Sequence, residues 1–473
     1  MANVDPGVIS LIVVGAALVL FITEALPIAA TSVLACLALA IFRVVPFGDA
    51  FAGFASDTVF LMVGMMVVGA ALFETGVAGL IGQRLVKVAG TSALRFTVVV
   101  IIVAAVLSGF LNNTATMAML IPIMAAAIGA SNGALTKKGT YLAAGIAATV
   151  GGLLTLVGSP PQLIAQGLLL DSGYTPMGFF EIAVFGVPLT LLAVAYFATI
   201  GRSLQARLFS SSNDDDGAGE NPANAKIAGR ARNDVNSQGR IDSWVVEAGS
   251  QSRGLETTTA QISGQARKKF GDDGATRADV MRRWVVVAVL AACLLGFVLE
   301  IWTVGIVAMA GAVVCVGAGC VSQERVFESI DWTTVVIMAC SYGISAGLVV
   351  SGGGELVAHS VVQLIGPGIT PWLLVAAFAV IAVVLSNFMS NTGAAALLIP
   401  ICMSAAAGLG YNVTAVAMTI AAAAAIGLST PVATPPLTMA LSAGYRFSDY
   451  IRIGGLFNIL ALATVLAIAA LIL

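Results

Sequence analysis

Two stretches of the chain place small polar side chains in the middle of apolar sequence. "VLSNFMSNTGAAALLIPI" runs from Val384 to Ile401 and carries Ser386, Asn387, Ser390, Asn391 and Thr392. "VLSGFLNNTATMAMLIPI", from Val106 to Ile123, carries Asn112, Asn113 and Thr114 at the matching place. Hydroxyls and amides supply oxygens and N–H donors without a fixed charge. Their chemistry is coordination: oxygens for a cation such as Na+, donors for an anion. Catalysis finds no support, because the apolar segments contain no His pair, no Asp pair and no nucleophile beside a base. The only histidine, His359, rules out a multi-His metal site and reads as an interfacial residue. Cys36, Cys293, Cys315, Cys320, Cys340 and Cys402 lie in apolar stretches without metal-ligand spacing and read as packing residues.

A second pair of stretches, "TLVGSPPQ" (155–162) and "TPVATPPL" (430–437), carries a Pro-Pro step. Proline lacks a backbone donor and clashes with the preceding turn. A helix must therefore unwind near Gly158-Ser159 and near Ala433-Thr434. Inside a bilayer, broken backbone is tolerated only where it lines a cavity or is buried in protein. Helix N-termini favour anions, and freed carbonyls favour Na+. The tips Asn112-Asn113-Thr114 and Ser390-Asn391-Thr392, with the two breaks, are thus candidates for a paired cation and anion site near the midplane. A lone Asn or Thr in a membrane helix is usually interhelical glue, and a lone Pro a kink. What points to a site is the constellation occurring twice, in the same order.

Composition says what must position these residues. The 473-residue chain is 59% hydrophobic and 10% charged, with mean hydropathy +1.00. A soluble domain carries about 25% charged residues. Repeated apolar runs of about 20 residues mean transmembrane helices. One polar segment, 203–283, has too little apolar content for a core and reads as a mostly disordered cytoplasmic loop. Its basic and acidic residues nearly balance, so nucleic-acid binding finds no support. It separates two membrane halves, 1–202 and 284–473.

The halves match. The two tip stretches share 11 of 18 residues at an offset of 278, and 147–165 and 422–440 share 9 of 19 at an offset of 275. Glu24 and Glu300 are offset by 276. Three matches in one order make an internal duplication. Each half reads as five spans and a re-entrant hairpin. The first has spans near 7–25, 27–45, 55–76, 140–170 and 178–201, with a hairpin at 94–131. The second has spans near 284–300, 303–320, 331–351, 411–443 and 450–473, with a hairpin at 371–408. Each hairpin arm is expected to be about 15 residues long. Five spans per half make the repeats antiparallel. Placing 203–283 inside also places Arg84, Lys87, Arg95, Lys137, Lys138, Arg325, Arg446 and Arg452 inside, leaving only Arg43 outside. Both termini are then expected outside.

On "TEALP" (23–27), the Asn-Thr tips at 112–114 and 390–392, and the "GSPP" and "VATPP" breaks, the chain resembles the divalent anion/sodium symporter family of the ion transporter superfamily. The resemblance covers both membrane halves. It implies an all-α polytopic fold in the plasma membrane: two inverted repeats, about ten transmembrane helices and two re-entrant hairpins. It also implies an elevator-type homodimer carrying di- or tricarboxylates or sulfate with Na+. One Na+ would lie at Ser108, Asn112, Asn113 and Gly158. A second would lie at Ser386, Met389, Asn391 and Ala433. Substrate would meet Asn113, Thr114, Ser159, Ser390, Asn391, Thr392, Thr434 and Pro435. The chain departs from the family pattern at Asn112, where the first tip usually has Ser, and at Gln162 and Leu437, where the breaks often have Asn. It is also expected to begin at the family's second span.

With no Lys or Arg in tip or break, an anion must be held by helix N-termini, neutral donors and bound cations. A secondary active anion transporter is therefore expected, not an enzyme. A Na+-independent exchanger or proton-linked oxyanion carrier would shift weight to Glu24 or Glu300. A membrane sensor would need an ordered 203–283 segment.

Overall fold

The computed structural model describes residues 5–23, 25–77, 92–129, 134–209, 277–299, 302–353, 370–431 and 433–473, with Leu80, Ser131 and Leu356. Glu24, Glu300, His359, Arg84, Lys87 and residues 210–276 of the expected central loop lie outside the described residues. Every regular element among the described residues is helical.

The first half contains α1 (Pro6–Thr23), α2 (Ile28–Ile41), a short α3 (Phe47–Ala50), α4 (Asp57–Glu74), α5 (Ala93–Phe110), α6 (Asn113–Gly129), α7 (Tyr141–Gly151), α8 (Pro160–Asp171), α9 (Ala183–Ala198) and α10 (Ile200–Phe209). The second contains α11 (Arg277–Leu299), α12 (Val304–Gly317), a short α13 (Gln323–Ser329), α14 (Trp332–Val350), α15 (Pro371–Phe388), α16 (Asn391–Gly408), α17 (Val413–Ala425), α18 (Pro435–Ala440) and α19 (Gly455–Ile472). The halves run through the same sequence of long helix, hairpin, broken helix and final helix. Seven described helices are long and apolar enough to cross a membrane, or eight if the bent pair α9–α10 is one span. The chain is an all-α, polytopic membrane protein. Three further members of the expected set, at Pro6–Phe21, Ile28–Ile41 and Val304–Gly317, are apolar but shorter.

Three features differ from the sequence expectation. The hairpin arms have 18, 17, 18 and 18 residues, so each is about 26 Å long. Helix α10 extends the first half to Phe209, and α11 begins at Arg277, so both ends of the 203–283 segment are helical. The α11 extension has a use for its charge: Arg283 Nε donates to the Thr75 carbonyl, 3.1 Å away, just past the end of α4. That satisfies an acceptor the helix leaves unpaired. Finally, the second broken helix is unwound over 426–431 and 433–434, and α18 is only six residues long.

Contacts between elements come in pairs related by the repeat. Helix α4 packs on α12 as α14 packs on α2. Each hairpin packs on its own half's broken helix, and α9 meets its counterpart α19. In lipid, helices associate through close packing of small residues. Gly64 shows this, since a Cβ there would lie 2.6 Å from the Ala308 carbonyl carbon of α12. Helices α16 and α17, rich in alanine, are buried nearly throughout and have no lipid-facing stripe. Asn391 and Thr392 of the second tip are therefore buried in protein.

Candidate functional site

The first tip forms because α5 stops at Phe110 and Leu111 turns extended (φ −97°, ψ 167°). Asn112 Oδ1 then accepts from Ala115 N at 2.6 Å and caps α6. Asn113, the first residue of α6, reaches into the first break. Its Oδ1 accepts from Ser108 Oγ at 2.6 Å, and turning the amide over would let its nitrogen donate to Ala148 O (3.1 Å) and Gly158 O (3.0 Å). The break itself turns extended at Ser159 (φ −148°, ψ 147°) so that Pro160 and Pro161 can open α8. Two side chains brace it. The Thr155 hydroxyl donates to Gly109 O. Gln162 Nε2 donates to Gly152 O (2.7 Å) and Thr155 O (3.1 Å).

The second tip repeats the geometry. Met389 is extended (φ −131°, ψ 177°), and Ser390 Oγ accepts from Gly393 N at 3.1 Å to cap α16. Thr434 is extended (φ −145°, ψ 145°) ahead of Pro435 and Pro436. Asn391 Nδ2 donates to Ala425 O at 2.9 Å, and Asn391 N reaches Ala433 O at 3.4 Å. Asn391 is 6% exposed, and its Oδ1 has no hydrogen-bond donor. Thr430 Oγ1 donates to Asn387 O at 2.6 Å, the repeat counterpart of the Thr155 bond to Gly109. Asn387 Oδ1 also accepts from Ser429 N at 2.7 Å.

These two units meet. Thr149 on α7 lies 3.4 Å from Thr434, hydroxyl to hydroxyl, across 285 residues. Helix α6 packs on α18, and α16 packs on α8, so each hairpin's second arm rests on the helix that follows the other half's break. Asn113, Pro160, Asn391 and Pro435 are the first residues of their helices. Four helix N-termini therefore open onto one locus, with no basic side chain among the tip and break residues.

Ser108, Ser159, Ser386, Asn391, Thr392, Thr434, Met389, Gly158 and Ala433 are buried there; Asn112, Asn113 and Ser390 are half-buried; Thr114 and Pro435 are exposed. The oxygens of Ser386, Met389, Asn391 and Ala433 suit a hard monovalent cation, since they are neutral and one of them lacks any donor. Sequence reasoning missed Thr149, Thr155, Thr430 and the bracing roles of Gln162 and Asn387. Thr155 and Thr430 occupy the same column of the repeat, which was a usable signal. Thr149 has no such counterpart. Asn458 Nδ2 donates to Ser429 Oγ at 2.9 Å, and it too is unmatched in the first half.

Comparison with known proteins agrees with the fold. The structure resembles the YdaH transporter of Alcanivorax borkumensis (TM-score 0.53, 16% identity, 89% of this chain and 86% of that one). It also resembles MtrF of Neisseria gonorrhoeae (TM-score 0.53, 16% identity, 100% and 96%). In sequence it is 23% identical to the Escherichia coli K12 transporter YfbS, over 96% of this chain and 97% of the relative. It is 24% identical to the sodium-dependent dicarboxylate transporter SdcS of Staphylococcus saprophyticus, over 95% and 82%. The profile of the citrate transporter family, CitMHS, matches residues 18–421 and 368–473. The chain belongs to the citrate transporter family and is a multi-pass membrane transport protein, not an enzyme.

Proposed function

We propose that this protein is a secondary active transporter of citrate-like di- or tricarboxylates and that Na+ is its coupling ion. The carrying observation is the junction of the two tip-and-break units through Thr149 and Thr434. It gathers helix N-termini, hydroxyls and amides at one locus without Lys or Arg. An anion there is held by Asn113, Thr114, Ser159, Ser390, Asn391, Thr392, Thr434 and the Pro435 end of α18. Helix N-termini stabilise its carboxylates, and a hydroxyl or amide donor to a charged group is worth about 1.5–3 kcal/mol. These donors leave net negative charge in a low-dielectric site, which a bound cation offsets; without the anion, the cation stands uncompensated. Each then stabilises the other, and that is coupling. The relative SdcS, sodium-dependent and dicarboxylate-transporting by its name, supports Na+ and carboxylate as the pair. The repeat-related contacts support alternating access by moving the hairpins and broken helices against α4, α12, α2 and α14; the family resemblance adds a homodimer as the assembly, and the plasma membrane is its location.

The test is uptake by reconstituted variants. Asn113→Ala and Asn391→Ala are each expected to lose citrate or succinate uptake by at least about tenfold while eluting as folded protein on size exclusion. Normal uptake by both would remove the site assignment.

A further inference from the structure

We propose that α10 and the two segments packed around it form a binding site for the headgroup of an anionic phospholipid. Helix α9 is apolar, and the chain bends by 41° at its end, where Thr199 leaves helical geometry (φ −121°, ψ −91°). Helix α10, IGRSLQARLF, is two-faced. Gly201 and Gln205 are buried, while Arg202, Ser203 and Arg207 are exposed and Ile200 is 49% exposed. Thr199, Ile200, Ser203, Leu204 and Arg207 line a surface groove of about 420 Å3. A guanidinium and aliphatic side chains thus share one groove. A soluble anion has use only for the first. A phospholipid uses both, its phosphate on the arginine and its acyl chains on Ile200 and Leu204.

Other cations converge on the same place. Lys138 Nζ lies 5.4 Å from the centre of the Phe209 ring, and that ring is 5.7 Å from the ring of Tyr445. Tyr445 Oη donates to Lys138 O, so the turn before α7 is tied to the segment between α18 and α19. Helix α10 packs on 450–454. Lys137, Arg446 and Arg452, on these same two segments, are exposed. Segments 134–140, 200–209 and 441–454 bring six basic residues to this place and one carboxylate, Asp449. Asp449 is 8% exposed, and its carboxylate is taken up by Arg446 N at 2.8 Å. The rule that gathers basic residues at span ends on one side of a membrane does not require them to meet. Here they do, around an aromatic contact between the two halves. Basic pockets between spans at the membrane surface select anionic headgroups, and arginine adds a paired donor fork for the phosphate.

The experiment is native mass spectrometry of the full-length protein released from nanodiscs of mixed phosphatidylcholine and phosphatidylglycerol, with retained lipids counted per chain. Preferential retention of phosphatidylglycerol is expected. Removing one basic side chain, as in Lys138→Gln, should weaken it about fivefold, and Arg202→Gln with Arg207→Gln about 25-fold. Arg207→Lys, which keeps the charge, should retain most of it. Arg95→Gln is the control. It removes a positive charge expected on the same side of the membrane but outside the three segments, and should leave retention unchanged. Equal loss in Arg95→Gln, or full retention in the double arginine variant, would overturn the site. Retention that appears only with Asp214→Asn, Asp215→Asn and Asp216→Asn would overturn it too, since the acidic run that follows α10 in sequence would then be the occupant. Displacement of phosphatidylglycerol by glycerol 3-phosphate at matched concentration would make the ligand a soluble phosphate and equally contradict the proposal. Each variant is read only where it elutes on size exclusion as the wild type does, which these exposed substitutions are expected to do.

Discussion

Within the first break the most informative side chain is Gln162, fully buried beneath a stretch that has lost its helical bonds. Its amide nitrogen serves two carbonyls at once. Gln162→Leu, which copies the second repeat, strands both. A buried carbonyl left without its donor costs about 1–3 kcal/mol, so the variant should unfold at a clearly lower temperature in a detergent thermal-shift assay. Wild-type stability would mean the break is held by packing alone. The same residue shows where sequence reasoning stops. Its identity as a departure from a family pattern was visible, but its partners depend on how the chain returns on itself over ten residues. Thr149 makes the point more sharply, because its partner Thr434 is 285 residues away. By contrast Asn112, Ser390 and the prolines were legible, since their effects are local: an N-cap, a missing donor, an extended residue before Pro.

Among the elements, hairpins and breaks were readable because each occurs twice and because proline dictates its own neighbourhood. Helices α15 and α16 together run from Pro371 to Gly408, each 18 residues long. The second break was underestimated. Proline accounts for 433–434, but unwinding begins already at Ile426. There Gly427 lets the chain press on Ser386, with a hypothetical Cβ only 2.6 Å from Ser386 Oγ, and Asn387 takes up the Ser429 and Thr430 donors. Tertiary hydrogen bonds replace helical ones, and no local pattern announces them. Close helix approach gives a prediction here. Gly64→Val should force α4 from α12 and cost about 1–3 kcal/mol, as overpacking does. Gly15→Ala in α1, with open space around it, should be neutral or stabilising by up to about 1 kcal/mol. Thermal unfolding of both variants checks the contrast, and equal destabilisation would contradict it.

At the scale of the whole molecule, the duplication organises everything. Contacts between halves are exchanged in pairs, and both units end at one locus. The odd number of spans expected per half, with basic residues gathered on one side, predicts that both termini face outward. A C-terminal reporter fusion should read extracytoplasmic; a cytoplasmic signal would contradict the inverted arrangement and with it the meeting of the tips at mid-membrane. Membership of the citrate transporter family fixes the class of protein, and the site's chemistry fixes what should be asked of it. The central claim is that anion and cation stabilise one another at a locus without basic side chains. It is tested most directly by uptake of citrate, succinate and sulfate into proteoliposomes, each with and without an inward Na+ gradient. Carboxylate uptake that requires the Na+ gradient is the predicted result. Uptake indifferent to Na+ but driven by internal anion would contradict it and make the protein an exchanger.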